Sequence, residues 1–167
     1  MKIKNVTLLA VIDVPNNRVL MTRRLRGMKG FSNSADGHAR DLYNLPGGKK
    51  GEDESFIDAA VRETIEETGV TPINPKLCGQ LQFVWTDVTL VCQVFKTFDW
   101  KGDIDCKPGG ECTAHWIDLD KLPYDNMWAD DRTWFPDMMN DKFFHYDVIV
   151  ADEKSVKMVP LPTDGVI

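Results

Sequence analysis

Apolar, β-branched residues dominate Lys4–Val14 and Arg18–Arg24, with Pro15-Asn16-Asn17 between them as a turn signal, so the chain opens on two strands. Leu25–Asp41 is polar and Gly-rich without a period and reads as a loop, and Leu42–Asn44 returns to an extended pattern ahead of Pro46-Gly47-Gly48. From Ser55 to Thr68 the spacing becomes helical. Asp53 or Ser55 is placed to cap the start, and Gly69 closes the end. Leu77–Thr86, Val88–Phe98 and Thr113–Asp118 read as further strands, Arg132–Asn140 as a second helix, and Phe143–Ala151 with Ser155–Pro160 as a closing pair of strands. No repeat, low-complexity segment or linker interrupts this order. The expectation is one domain over residues 1–167, an α/β sandwich built on a mixed sheet.

Composition narrows the function classes. The chain has 167 residues, 43% hydrophobic and 28% charged, the balance of a water-soluble domain. Its net charge of −6 argues against a DNA or RNA polymer as partner, because such binding sets many Lys and Arg against phosphates. A small anionic substrate remains compatible if a bound cation and a few local bases cancel charge. Cys78, Cys92, Cys106 and Cys112 form no CxxC pair, which favours free thiols in a reducing compartment over a zinc or redox site. Val6–Ile12 behind Lys2 and Lys4 imitates a short signal peptide, but Asp13 interrupts it and no small-residue cleavage site follows. With no apolar run of spanning length, a cytoplasmic protein without membrane contact is expected.

The chemistry concentrates in the first helix. Glu63, Glu66 and Glu67 stand at i, i+3 and i+4 and share one face, while Phe56, Ile57, Ala60, Val61 and Thr64 fall on the neighbouring arc that would anchor it to a sheet. Carboxylates so close repel one another, and a divalent cation relieves the repulsion. Oxygen-only ligands select Mg²⁺ or Mn²⁺, with substrate phosphates completing the shell. A backbone carbonyl at Gly47-Gly48 is a further ligand candidate, with Gly48 preferred. The bland alternative is an acidic, solvated helix face.

The spacing decides between these readings. Gly48, Glu54, Arg62, Glu63, Glu66, Glu67 and Gly69 match all seven fixed letters of Gly-x5-Glu-x7-Arg-Glu-U-x-Glu-Glu-x-Gly-U, with U a bulky apolar residue. Chance coincidence is on the order of one in a million at average residue usage. One departure is Thr64 at the first U. The stretch resembles the Nudix box, and the resemblance implies a Nudix-type α/β/α sandwich with a mixed sheet. It also implies that Glu63, Glu66 and Glu67 hold metal or activate water, that Arg62 orients a carboxylate, and that Glu54 pairs with Arg62. Nudix enzymes commonly add a distant Glu. Glu111, after Pro108-Gly109-Gly110, fills that role here or is a solvated loop acid. Arg23 and Arg24, ending the second strand, are placed to grip polyphosphate as forks, with Arg24 preferred by alignment with a basic residue of related enzymes and Lys49 joining it, or else the two arginines serve solubility.

Outside the box, Tyr43-Asn44-Leu45-Pro46-Gly47-Gly48-Lys49, Gly79-Gln80-Leu81 with Phe83, Met127-Trp128-Ala129-Asp130-Asp131 and Lys142-Phe143-Phe144-His145 resemble the animal-type MutT branch of this family. That branch hydrolyses oxidised purine nucleoside triphosphates such as 8-oxo-dGTP. The implied pocket stacks a purine on Trp128, closes it with Phe83, and reads its edge with Asn44, Asp130 and Asp131. Two adjacent enclosed carboxyls disfavour double ionisation, so one stays protonated and donates while its neighbour accepts. The rival role for Asp130-Asp131 is a helix N-cap. Trp134 and Phe135 are expected in the core, and His38 and His145 at the surface or in packing. Leu25–Asp41 is longer than its counterpart in that branch, and Phe31 is the residue there matched to the branch's pocket aromatic. The expected partner is a small nucleotide, the expected assembly a monomer, with a dimer also compatible. The other activity classes are hydrolysis of an unmodified nucleotide, nucleotide sugar or dinucleotide, and a Nudix module that only binds nucleotides, a class that usually loses the carboxylates kept here.

Overall fold

A computed structural model describes residues 1–25, 42–110, 112–152 and 154–166. The expectations for Phe31, His38, most of the Leu25–Asp41 loop and Glu111 lie outside these residues. The strands are β1 (Lys2–Asp13), β2 (Arg18–Arg24), β3 (Tyr43–Asn44), β4 (Thr71–Pro72), β5 (Lys76–Val84), β6 (Val88–Thr97), β7 (Trp100–Lys101), β8 (Cys112–Asp118), β9 (Phe144–Asp152) and β10 (Ser155–Pro160). The helices are α1 (Phe56–Thr68) and α2 (Asp131–Met139). Every expected element is present with its ends shifted by at most two residues, which is the usual uncertainty of helix and strand ends. The short β4–β7 ribbon was not foreseen, since two-residue strands carry no readable period.

The sheet is mixed and runs β10-β9-β5-β6-β1-β2-β3, with β8 also paired to β2. Strand β1 has two loyalties. From Lys2 to Val11 it runs parallel to β6, and only at Ile12 and Asp13 does it pair with β2. Below Ile12 the segment 46–50 wedges into the opening, with bonds from Leu9 N to Pro46 O, Thr7 N to Gly48 O, Gly48 N to Thr7 O and Lys50 N to Asn5 O.

Alternation along β1 sorts the two cores. Leu9 and Val11 face the α1 side with Ala60, Val70 and Phe95. Ala10 and Ile12 face the α2 side with Leu81, Trp134, Phe135 and Phe144. Helices therefore cover both faces of one sheet, the expected sandwich. Helix α1 is capped as the sequence predicts. Ser55 Oγ accepts from Asp58 N, and Gly69 at φ 77° donates its N–H to Ile65 O. Its buried face differs in detail from the expectation. Ile57 is exposed, while Ala59, Ala60, Thr64 and Thr68 are buried. The two threonines bury without loss because their hydroxyls donate to Ala60 O and Thr64 O one turn back.

Gly47 is obligatory for the wedge, because a Cβ there would collide with the backbone carbonyl of Thr7. Gly47→Ala is expected to destabilise the metal-free protein by about 1–3 kcal/mol, the usual scale of overpacking. Gly165→Ala, where a Cβ meets nothing, should stay within about 0.5 kcal/mol. Urea unfolding of both variants checks the contrast.

Candidate active site

A cavity of about 690 Å³ opens where β2 leaves β1, and it has two chemically distinct ends. At one end the polar face of α1 presents Glu63, Glu66 and Glu67 beside Arg24, Gly47, Gly48 and Lys49. At the other, Asn44, Phe83 and Trp128 meet Asp130 and Asp131. The sequence-predicted residues are thus brought together, apart from Glu111, which lies outside the described residues, and Arg62, which stands behind the carboxylates.

Arg62 is the organiser of the acidic face. Its guanidinium donates to Glu54 through Nε at 3.1 Å and NH2 at 2.6 Å, to Glu63 Oε1 at 2.9 Å, to Glu66 Oε2 at 3.3 Å and to Lys49 O at 3.0 Å. The planar fork supplies five donors and all are engaged, which a Lys could not imitate. Glu54 is held down at about 2 by these bonds, with the Gly51 N–H adding to them, and Arg62 is raised by the same pairing. The structure therefore agrees with the expected Glu54–Arg62 pair.

Glu63 and Glu67 face inward. Glu63 is raised by burial, against the pull of Arg62. A Cβ on Gly48 would lie 2.5 Å from its carboxyl carbon, so only glycine leaves this approach open. Burial pushes Glu67 up to about 7, although Gly47 N–H donates to Oε1 at 3.0 Å and Cys112 Sγ to Oε2 at 3.3 Å. Glu66 is exposed. Among the described residues no three acidic, His or Cys side chains converge tightly enough to form a finished metal cage. Arg62 engages one oxygen each of Glu63 and Glu66, while Gly47 N–H and Cys112 Sγ donate to the two oxygens of Glu67. The donor set still fits a hard divalent cation, because the half-buried Glu63 carboxylate lies against the space a Cβ at Gly48 would fill and Glu67 meets the neighbouring Gly47 N–H.

The Gly48 carbonyl needs correction as a ligand candidate. It accepts from Thr7 N at 2.9 Å, so it points into the sheet rather than toward α1.

Register separates the two arginines. Arg24 pairs opposite Cys112 on β8, and Ala114 and Trp116 on the same face belong to the α1-side core. Arg24 thereby reaches the cavity and its charge acts on Glu67. Arg23 points the other way and lies over the Tyr43 ring, 5.6 Å from its centroid.

At the far end, Asp130 and Asp131 are 1% and 3% exposed, which is rare for carboxyl groups and calls for a partner. Asp130 occupies the N-cap position of α2 but makes no side-chain capping bond. Its Oδ2 instead accepts from Trp134 Nε1 at 2.8 Å. The capping alternative is therefore not what holds the pair. Asp130 Oδ1 and Asp131 Oδ2 have no hydrogen-bond partner among the described residues. Burial raises both groups, and at Asp131 the neighbouring Asp130 carboxylate acts in the same direction. Asn44 Oδ1 accepts from Leu45 N at 2.9 Å, which fixes the amide's orientation. Phe83 stacks with Trp85, centroids 6.1 Å apart at 27°.

Sequence reasoning missed Trp85, Lys4, Lys107 and Cys112 on the cavity wall. The first two were within reach of it, since period two along β5 aligns Trp85 with Phe83, and along β1 aligns Lys4 with Val6 and Leu8. His145 packs as expected, with Nε2 3.2 Å from Gln82 Nε2 and Nδ1 2.6 Å from Pro162 O.

Comparison with known proteins agrees with this geometry. Residues 3–138 match the model of the NUDIX domain. An oxidized purine nucleoside triphosphate hydrolase of Danio rerio is 32% identical over 136 residues, 80% of each chain. The 8-oxo-dGTP diphosphatase of Escherichia coli is 29% identical over 117 residues, 70% of this chain and 82% of that one. The crystal structure of a mutator MutT protein from Bacillus halodurans superposes with a TM-score of 0.73 over 95% of this chain and 99% of that one, at 24% identity, which speaks for the fold. With the box residues gathered on α1 and a matching family model over most of its length, the chain belongs to the Nudix family of hydrolases.

Proposed function

We propose that this Nudix hydrolase cleaves oxidised purine nucleoside triphosphates, 8-oxo-dGTP among them, to the monophosphate and pyrophosphate. The observation that carries the reading is the buried Asp130–Asp131 pair, with an unpartnered oxygen on each, in the same cavity as Glu63 and Glu67. Such a pair shares a proton, so Asp131 donates while Asp130, held by Trp134, accepts. Asn44 adds an oriented amide, and Trp128 offers a face for the ring. Oxidation at C8 of a purine turns N7 from acceptor to N–H donor, so a site of this kind separates the two bases through hydrogen bonds. The activities for which the relatives from Danio rerio and Escherichia coli are named support the same reading.

At the phosphate end, Nudix hydrolases as a class need divalent metal, and the oxygen donors here favour Mg²⁺, with Mn²⁺ as substitute. Glu63 and Glu67 would hold it with Glu66 and Glu111 completing the set. Gly47 replaces Gly48 as backbone donor: Pro46 O and Gly48 O bond to β1, so strand alternation turns the carbonyl between them outward. Once bound, the cation neutralises phosphate oxygens and acidifies water. The protein's own part is positioning. Arg62 keeps Glu63 and Glu66 in place, Arg24 and Lys49 meet phosphate oxygens, and one Glu of α1 takes the proton from water.

The same reading extends to context. Residues after 138 form β9 and β10, which join the sheet through β5, in keeping with a single domain over 1–167. No helix among the described residues is long and apolar enough to cross a membrane. Four free thiols suit the cytoplasm. A monomer that ignores nucleic-acid polymers fits the acidic surface.

Steady-state kinetics on a nucleotide panel test the substrate. The kcat/KM for 8-oxo-dGTP should exceed that for dGTP by roughly tenfold to a hundredfold, one or two unmatched buried hydrogen bonds. Equal values would sink the substrate assignment and leave the hydrolase assignment standing. The preference should fall on the alkaline side as Asp131 loses its proton, and Asp131→Asn should flatten that limb. Glu63→Gln and Glu67→Gln should each lower turnover by at least ~100-fold.

Proton linkage at Glu67 gives an independent check. Its folded pKa of about 7 lies above the unfolded value of 4.5. The contribution to stability is full below 4.5 and is lost as pH rises through 7. In EDTA, Glu67→Gln should therefore unfold at higher urea than wild type at pH 8 but not at pH 4.5. Saturating Mg²⁺ should shrink the pH 8 gap.

A further inference from the structure

Cys112 opens β8 directly opposite Arg24, and the pairing register points it, with Ala114 and Trp116, toward α1. It is 9% exposed and lies on the cavity wall. Its Sγ donates to Glu67 Oε2 at 3.3 Å, while the other oxygen, Oε1, accepts from Gly47 N at 3.0 Å. The Glu67 carboxylate is thus gripped from two walls, by the wedge on one side and by β8 on the other. Both grips are uncharged. An Arg or Lys in place of Cys112 would hold the oxygen more firmly but would also cancel its charge and compete with a cation. A thiol is a weak donor that fixes orientation and leaves the charge in place.

We propose that Cys112 is a positioning residue for Glu67, holding one carboxylate oxygen so that the group meets the divalent cation in a single orientation. The inference rests on the reading of Glu67 as a metal ligand or base. It assigns Cys112 no contact with substrate or metal. Neither the box nor the later motif includes position 112, so this support comes from outside the family pattern read in the sequence.

Three variants of the full chain test it: Cys112→Ala, Cys112→Ser and Glu67→Gln. Ser and Ala remove similar volume, so their difference isolates the donor even if both lower the melting temperature. Mn²⁺ affinity by electron paramagnetic resonance is read without substrate, then kcat and KM separately. Cys112→Ala should weaken Mn²⁺ and lower kcat by roughly three- to tenfold, the scale of one weak hydrogen bond, with KM unchanged. Cys112→Ser should restore both to within about twofold, because a hydroxyl donates in the same place. Wild-type Mn²⁺ affinity and kcat in Cys112→Ala, or equal losses in Ala and Ser, overturn the inference. Glu67→Gln separates the two levels. If it is crippled while Cys112→Ala is intact, only the positioning role fails. If it behaves as wild type, the reading of Glu67 fails and takes the inference with it.

Discussion

Burying a carboxylate costs free energy unless something shares its charge, and this chain sinks two pairs of them into one cavity. The two ends answer the same problem differently. Between Asp130 and Asp131 a shared proton would answer it: burial raises both groups, the Asp130 carboxylate adds to the rise of Asp131, and Trp134 Nε1 donates to Asp130. At Glu63 and Glu67 the groups are less enclosed and stand beside Arg62 and Arg24, so a cation can take the place of the proton. Proton-sharing at one end suits a neutral base with donors and acceptors on its edge. Charge-sharing through a cation suits a polyphosphate.

Both ends depend on the parting of β1 and β2. Had β2 followed β1 along its whole length, ladder hydrogen bonds would have filled the opening. Instead the wedge 46–50 takes the edge of β1, and Gly47 and Gly48 let it lie flat where a side chain would strike Thr7 or Glu63. That close approach is why Gly47 N–H reaches Glu67 at all. The backbone that seals the sheet therefore also orients a carboxylate of α1.

Much of this was legible in the sequence because it follows short periods. The i, i+3, i+4 spacing of Glu63, Glu66 and Glu67 needs only a helix, and Ser55 and Gly69 mark its ends. The far end was legible through resemblance: Asp130 and Asp131 as such look like a helix cap, and only their burial beneath Trp134 shows otherwise. What stayed hidden depends on pairing between distant segments. The carbonyl of Gly48 points into the sheet because of Thr7, 41 residues away, and nothing local reveals it. Ile57 reads as a helix anchor by spacing, yet Ala59 takes the buried position because the sheet meets α1 at a slightly rotated face.

The tie between Trp134 and Asp130 carries this logic one step further. Trp134 is fully buried against Phe135 and Phe144, so its indole cannot turn away, and its N–H is committed to one oxygen of Asp130. A carboxyl that already accepts a buried hydrogen bond is the cheaper of two neighbours to ionise. The 2.8 Å bond from the core tryptophan thus singles out Asp130 geometrically without any ligand. In the proposed function this makes Asp130 the acceptor and Asp131 the donor before any nucleotide arrives. Under that proposal, preorganisation of this kind would place the selectivity for the base in the packing of α2, away from the helix proposed to handle the phosphates.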